Sequence, residues 1–405
     1  MRRTPIFFSF FSLIFLLSIP SRPIEGEEFY YKHRQGDRFR ILSTIIEDVY
    51  INRQLSHRAE IINRIAVEIS DVKGDSGTHK AVFQTAERAA YANSVTGFQW
   101  SRDYNSEFER DRLGYLSIDP KFFMPIVRNV PVFPNKALSP GEKWSADGYE
   151  VHDFRDSFGI PEPYEIPFTA HYTFLGIRQW KGTDYPAFSV SYRIFNEPSR
   201  VEGRVWPERI QGASDQVVYW DADLGQPAAY EEYFRIIMEL SDGTIAEFRG
   251  RAEAEIIEAP LMDKAGIAEE IAETLRNLDI PGASVRIDET GVTISIENIQ
   301  FLPDSAILRQ SEKEKLDKIA RILRSYPERD ILVSGHTALA GTEAGRRQLS
   351  EERAQSVAEY LLEQKVRSAE RMLIQGFGAE RPVADNTTEA GRERNRRVEI
   401  TILEN

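Results

Sequence analysis

Two different periods of apolar residues divide the chain. From about residue 27 to residue 259, apolar positions alternate with polar ones or run in short stretches rich in Ile and Val. "RFRILSTIIEDVYI" (38–51) and "EIINRIAVEISDV" (60–72) are of this kind, and both read as strands. "AAYEEYFRIIMELSDGTIAEFRGRAEAEIIE" (228–258) predicts a long hairpin. It turns at Ser241-Asp242-Gly243, because Asp-Gly tolerates the positive φ that tight turns need. These segments predict a β-rich region built as an antiparallel sandwich or a partly open barrel. Prolines cluster at 120–144. Proline has no N–H to give a ladder, so this stretch is an edge, a crossover or a boundary between two subdomains, the boundary placed near residue 135.

After Pro260 the apolar residues recur at intervals of three and four. Ile267, Ile271, Leu275 and Leu278 form one stripe, which predicts a linker helix within 260–282. "SVRIDETGVTISI" (284–296) gives two short strands. A second helix is predicted from Ser311, with Glu314 completing a capping box, and its apolar face is Leu316, Ile319, Ala320 and Leu323. "DILVSGHT" (330–337) is a buried strand. A third helix is predicted from Ser350, carrying Ala354, Val357, Ala358, Leu361 and Leu362. "RMLIQGFG" (371–378) and "RRVEITIL" (396–403) supply the last strands. Strands alternating with helices predict an α/β sandwich over 283–405. The whole is then a multidomain α+β chain.

Composition changes the picture in three ways. At 405 residues, 41% hydrophobic and 28% charged, the chain has the composition of a folding protein. A net charge of −13 argues against nucleic acid as a partner. The absence of cysteine excludes disulfides, thiol catalysis and a lipid on an N-terminal cysteine. Arg2 and Arg3 precede an apolar run from Ile6 to Ile19. That run is shorter than the roughly 20 residues a bilayer span takes, so residues 1–26 read as a secretory signal cleaved between Ser21 and Gly26. An uncleaved anchor is the alternative. The expected location is the periplasm, in association with the outer membrane or the wall.

One set of residues then matches a family in order and spacing. Phe301, Ser305-Ala306 and Leu308 open it. Gly335-His336-Thr337, Gly341, Leu349-Ser350 and Arg353-Ala354 stand at its centre. Gly376-Phe377-Gly378, Pro382, Asn386-Thr387, Gly391-Arg392 and Asn395-Arg396-Arg397-Val398-Glu399 close it. Residues 283–405 resemble the OmpA-like domain of OmpA, Pal lipoproteins and flagellar stator proteins. The resemblance implies non-covalent binding of peptidoglycan through its stem peptide. In family members an Asp holds the ligand ammonium and an Arg holds its carboxylate. Here the Arg is Arg353, the Asp position is Ala338, and a nearby Asn position is Arg346. By the resemblance, Arg353 is the anchor, and Thr337, Leu349 and the loop from Asn386 to Asn395 shape the pocket.

The chemistry is consistent with such a role, since an arginine fork pairs a carboxylate bidentately. In the first turn of a helix from Ser350, Arg353 would also share the positive end of the helix dipole. Losing the Asp costs roughly 1.5–3 kcal/mol of charge-assisted hydrogen bonding. Two expectations follow. Either the site recognises the wall with weakened or altered specificity, with Glu343, Glu351 or Glu352 in place of the acid, or it has lost the ligand and the domain packs against other envelope proteins. The bland reading of Arg353 is a helix residue paired with a neighbouring acid.

No other motif carries chemistry. The six histidines lack metal-site spacing, His336 reads as orienting its turn, and neither a nucleophile elbow nor a phosphate loop is present. "GRERNRR" (391–397) reads as a loop leading into a strand, and Asn386-Thr387-Thr388 as an Asx-type turn. Trp100, Trp144, Trp206 and Trp220 read as core. The expectation is a non-enzymatic protein without cofactor or metal.

Overall fold

The computed structural model describes residues 26–404, apart from 90–96, 201–203, 259–261, 289, 298 and 302–305. The expected signal segment, the break at Pro260 and Ser305 lie outside the described residues, with Gly26 alone of the signal segment inside. Four long strands come first: β1 (Arg38–Ile51), β2 (Gln54–Lys73), β3 (Ser76–Ala89) and β4 (Phe98–Arg110). Asn52 and Arg53 both take positive φ between β1 and β2, the two-residue hairpin geometry that matches strand twist. Two short strands, β5 (Leu116–Ile118) and β6 (Val127–Arg128), flank the proline-rich stretch. β7 (Lys143–His152), a single helical turn α1 (Arg155–Phe158), β8 (Tyr164–Trp180), β9 (Thr183–Asn196), β10 (Pro207–Asp221), β11 (Gln226–Leu240) and β12 (Ile245–Glu258) complete the β-rich half.

All these strands pair antiparallel in the order β5-β4-β3-β2-β1-β12-β11-β10-β9-β8-β7-β6. β12 therefore returns to lie beside β1, with Phe39 opposite Glu258. Among the described residues no ladder joins β5 to β6, so the sheet is open, as an unclosed sandwich requires. The prolines fall where the sheet has its two ends, which is where a missing N–H does least harm. The expected hairpin turn is present: Gly243 has φ +84°, and its N–H bonds the Leu240 carbonyl at 2.9 Å. Aromatic rings fill the interior. Phe133 stacks edge-on against Trp220 at 4.8 Å and Phe188 at 5.3 Å, and Trp220 is 1% exposed.

The C-terminal half runs α2 (Lys264–Asn277), β13 (Ala283–Ile287), β14 (Gly291–Glu297), α3 (Gln310–Leu323), β15 (Ile331–Gly335), α4 (Glu343–Glu363), β16 (Met372–Gly376), α5 (Glu389–Asn395) and β17 (Arg397–Leu403). Its sheet has the order β13-β14-β17-β15-β16, with only β15 and β16 parallel to each other. One face packs on α2, α3 and α4 through Ile271, Leu275, Leu316, Ile319, Val357 and Leu361. The linker helix thus contributes to this core. Two elements differ from expectation. α3 begins at Gln310 after Arg309, which makes no side-chain cap bond, so Ser311 lies inside the first turn and forms no capping box with Glu314. "GRERNRR" is largely the helix α5, capped by Thr388, whose side chain accepts from Gly391 N.

The opposite face of this sheet is covered by the β-rich half. Leu332, Leu373 and Leu403 share a buried cluster with Ile62, Ala86, Phe98 and Trp100. Phe98 and Gln99 of β4 also pair in parallel with Leu373 and Ile374, so β4 extends the sheet beyond β16. Arg64 Nε donates to Asp330 Oδ2 at 2.7 Å across the junction, with both side chains nearly excluded from water. Arg371 takes the other oxygen of Asp330 at 2.7 Å.

Candidate functional site

The segment that carries the signature lies between β15 and α4. Two glycines let the helix approach the sheet. A Cβ on Gly335 would lie 1.9 Å from the Ser350 carbonyl, and one on Gly376 would lie 2.6 Å from Glu351 N. Gly378 N donates to Ser350 Oγ at 2.8 Å, and Gly378 O accepts from Thr337 N at 2.8 Å. Thr337, Ser350 and the turn after β16 are thereby fastened together.

A second fastening joins the loops. Asn395, fully buried, accepts from Val383 N and Ala384 N and donates to Ala384 O and to Asn386 Oδ1. Asn386 Oδ1 in turn accepts from Leu339 N at 3.0 Å. The Asn395 amide is thus committed within the chain, and it shapes the loop without a free atom for a ligand. The expected Asx turn is built by Asp385, which accepts from Thr387 N at 2.9 Å. Asn386 has no part in it, because its side chain reaches across to residue 339.

Beneath the loop is a charge network centred on the buried Glu399. Arg286 bonds both oxygens of Glu399, Arg397 Nε donates to Oε1 at 2.7 Å, and His336 Nε2 lies 3.3 Å from Oε2. Burial alone would raise the Glu399 pKa, but His336 and Arg397 overcome it and hold the carboxyl down to about 2. Burial pushes His336 below its ordinary value, against the pull of Glu399. Its ring stacks on Phe377 at 5.3 Å. His336 is thus held within its turn between Phe377 and Glu399.

Arg353 is not where the sequence placed it. α4 starts at Glu343, with Thr342 as its N-cap accepting from Gly345 N, rather than at Ser350. Arg353 is mid-helix, and the dipole contribution, which fades within the first turn, does not reach it. What surrounds it is more telling. The residue is half-buried, its guanidinium lies over the Phe301 ring at 5.0 Å, and no hydrogen bond or ion pair to the described residues engages it. Burial, then the nearby Arg396 charge, lower its pKa. The pairing with a neighbouring acid is absent among the described residues. Glu352 accepts from Gln348 instead, and Glu343 and Glu351 are exposed to solvent. Arg346 donates one Nη to Gly341 O, while its Nε is buried without a partner. Ala338 is 6% exposed, Thr337 is 7% exposed with its hydroxyl unpartnered, and Leu349 is partly buried.

Comparison with known proteins bears on the C-terminal third. Residues 300–396 match the model of the OmpA family. The probable lipoprotein YiaD of Escherichia coli is 36% identical over 124 residues, 30% of this chain and 56% of that protein. The peptidoglycan-binding protein ArfA of Mycobacterium tuberculosis is 36% identical over 104 residues, 26% of this chain and 32% of that protein. A solved structure described as the cell wall anchor of the T6SS from Pseudomonas aeruginosa is 31% identical, covers 33% of this chain and 95% of that one, and has a TM-score of 0.30. The chain thus spans about half the length of the first of these curated relatives and a third of the second. No helix among the described residues is long and apolar enough to cross a membrane.

Proposed function

Given an OmpA family domain at residues 300–396, we propose that this is a non-enzymatic protein of the cell envelope. Its C-terminal domain holds peptidoglycan through an acid group of the stem peptide, with specificity altered by the loss of the acid at Ala338. The observation that carries this reading is Arg353, a half-buried cation with no partner among the described residues. A desolvated charge left unpaired is costly, and a ligand carboxylate would satisfy it with a planar fork. The mycobacterial relative named as peptidoglycan-binding supports the class of ligand. Residues 1–26 would direct the chain to the periplasm, and residues 27–259 would present a second surface to other envelope proteins.

The test is co-sedimentation of the full chain with purified sacculi. Native protein should pellet and Arg353→Ala should remain in the supernatant. Equal pelleting of the two removes Arg353 from the site. A second reading, an interaction module without wall binding, draws on the buried methyl of Ala338. It predicts that neither form pellets.

A further inference from the structure

The donors and acceptors around Arg353 say more about the ligand than that it carries an acid. We propose that the site takes a carboxylate whose neighbouring nitrogen is acylated, as at the free end of a peptide, rather than a zwitterionic amino-acid head. This rests on the wall-binding reading and narrows it.

The charged groups left free to contact a ligand are the cations Arg353 and Arg346, and the free hydroxyl of Thr337 can donate or accept. Among the described residues no hydrogen bond engages Arg353, and Arg346 donates a single Nη, to Gly341 O. Arg346 also stands close to the Thr337 end of the site, its Cβ 3.4 Å from where a Gly378 Cβ would be, and Gly378 O is bonded to Thr337 N. The Thr337 hydroxyl is nine-tenths buried and unpartnered. The adjoining side chain is the buried methyl of Ala338. Three of the acids nearby are committed elsewhere: Glu389 pairs with Arg392 and Arg396, Glu380 with Arg347, and Glu399 with Arg286, Arg397 and His336, while Glu343 and Glu351 are exposed to solvent. Asn386 Oδ1, the neutral acceptor closest in the chain of contacts, is already shared by Leu339 N and Asn395 Nδ2.

A ligand ammonium entering here would lose water and meet a methyl group and two guanidinium charges. It would find the Thr337 hydroxyl as an acceptor in place of a carboxylate, and both cations would repel it. An acylated nitrogen brings no charge, and its carbonyl is one more acceptor for Arg346 or Thr337. The cationic set therefore selects by repulsion as much as by attraction, which is how sites discriminate between ligands sharing one anchor group.

The matched probes are D-alanine and N-acetyl-D-alanine, which share a carboxylate and differ in the ammonium. Binding to the full chain is followed by NMR titration, alongside sacculus co-sedimentation. The native chain should prefer the acetylated probe by about tenfold or more, the scale of one charge-assisted contact. Ala338→Asp should narrow or invert that preference, and Arg353→Ala should abolish binding of both. A native preference for D-alanine, or no response to either probe while sacculi are held through Arg353, overturns this inference and leaves the wall reading intact. Sacculi held equally by Arg353→Ala overturn the wall reading itself.

Discussion

At the scale of single residues, the two charged groups of the site behave oppositely. Glu399 is satisfied three times over, and Arg353 is satisfied by nothing in the described chain. Glu399→Gln should cost about 3–5 kcal/mol by stranding the buried Arg397 guanidinium. The folded carboxyl titrates at about 2, below its ordinary 4.5. Its contribution is complete above about pH 4.5 and is lost as the pH falls towards 2. Melting temperature should therefore drop between pH 5 and pH 3 in the native chain and drop less in Glu399→Gln; parallel acid slopes would contradict the network. Arg353→Ala should behave otherwise. It removes a cation–π contact worth about 0.5–1 kcal/mol and strands no acid, so its melting temperature should stay within a few degrees of native. The identities of Arg353, Ala338 and Arg346 were legible in the sequence by their place in the signature. The lack of an acid partner for Arg353 among the described residues was not, because that depends on where the neighbouring carboxylates point.

At the scale of elements, the start of α4 decides how the site works. Thr342 caps the helix, and Thr342→Ala should lower stability by about 1 kcal/mol. Chemical denaturation of the two forms, with an unchanged slope, checks this. Gly335→Ala is the harsher change, since its Cβ would meet the Ser350 carbonyl at 1.9 Å and push α4 off the sheet. It should lose wall retention as well as stability. The sequence read α4 seven residues too late because Glu343 to Leu349 offers no apolar stripe. That turn is largely exposed and packs little. A local signal was nevertheless present. Thr342-Glu343-Ala344-Gly345 and Thr388-Glu389-Ala390-Gly391 are the same four residues, and each Thr caps a helix by accepting from its Gly N–H. Cap chemistry identifies both helices where periodicity does not. The long strands and the core stripes of α2 and α3 were plain in the sequence, because burial on one face imposes its period on the chain.

At the scale of the whole molecule, the two halves share one hydrogen-bonded sheet through β4 and β16 and one buried ion pair through Arg64 and Asp330. Nothing in the sequence pairs Phe98 with Leu373, since contacts between distant segments leave no period to read. The division into a β-rich region and a C-terminal domain was legible, but their union was not. Gln99 lies 3.5 Å from Gln355, two residues beyond Arg353 on α4, so the β-rich half braces the helix that carries Arg353. Heating the native chain should give one cooperative transition. Phe98→Asp, which buries a charge in the shared cluster, should split it into two. A single transition in both would mean that the junction adds little.

The central claim is that Arg353 holds an acid group of a wall ligand. It is tested most directly by the dissociation constants of the native and Arg353→Ala full-length chains for purified muropeptides at one salt concentration. The variant should bind about tenfold or more weakly, the worth of a charge-assisted hydrogen bond, with folding unchanged. Equal constants would contradict it.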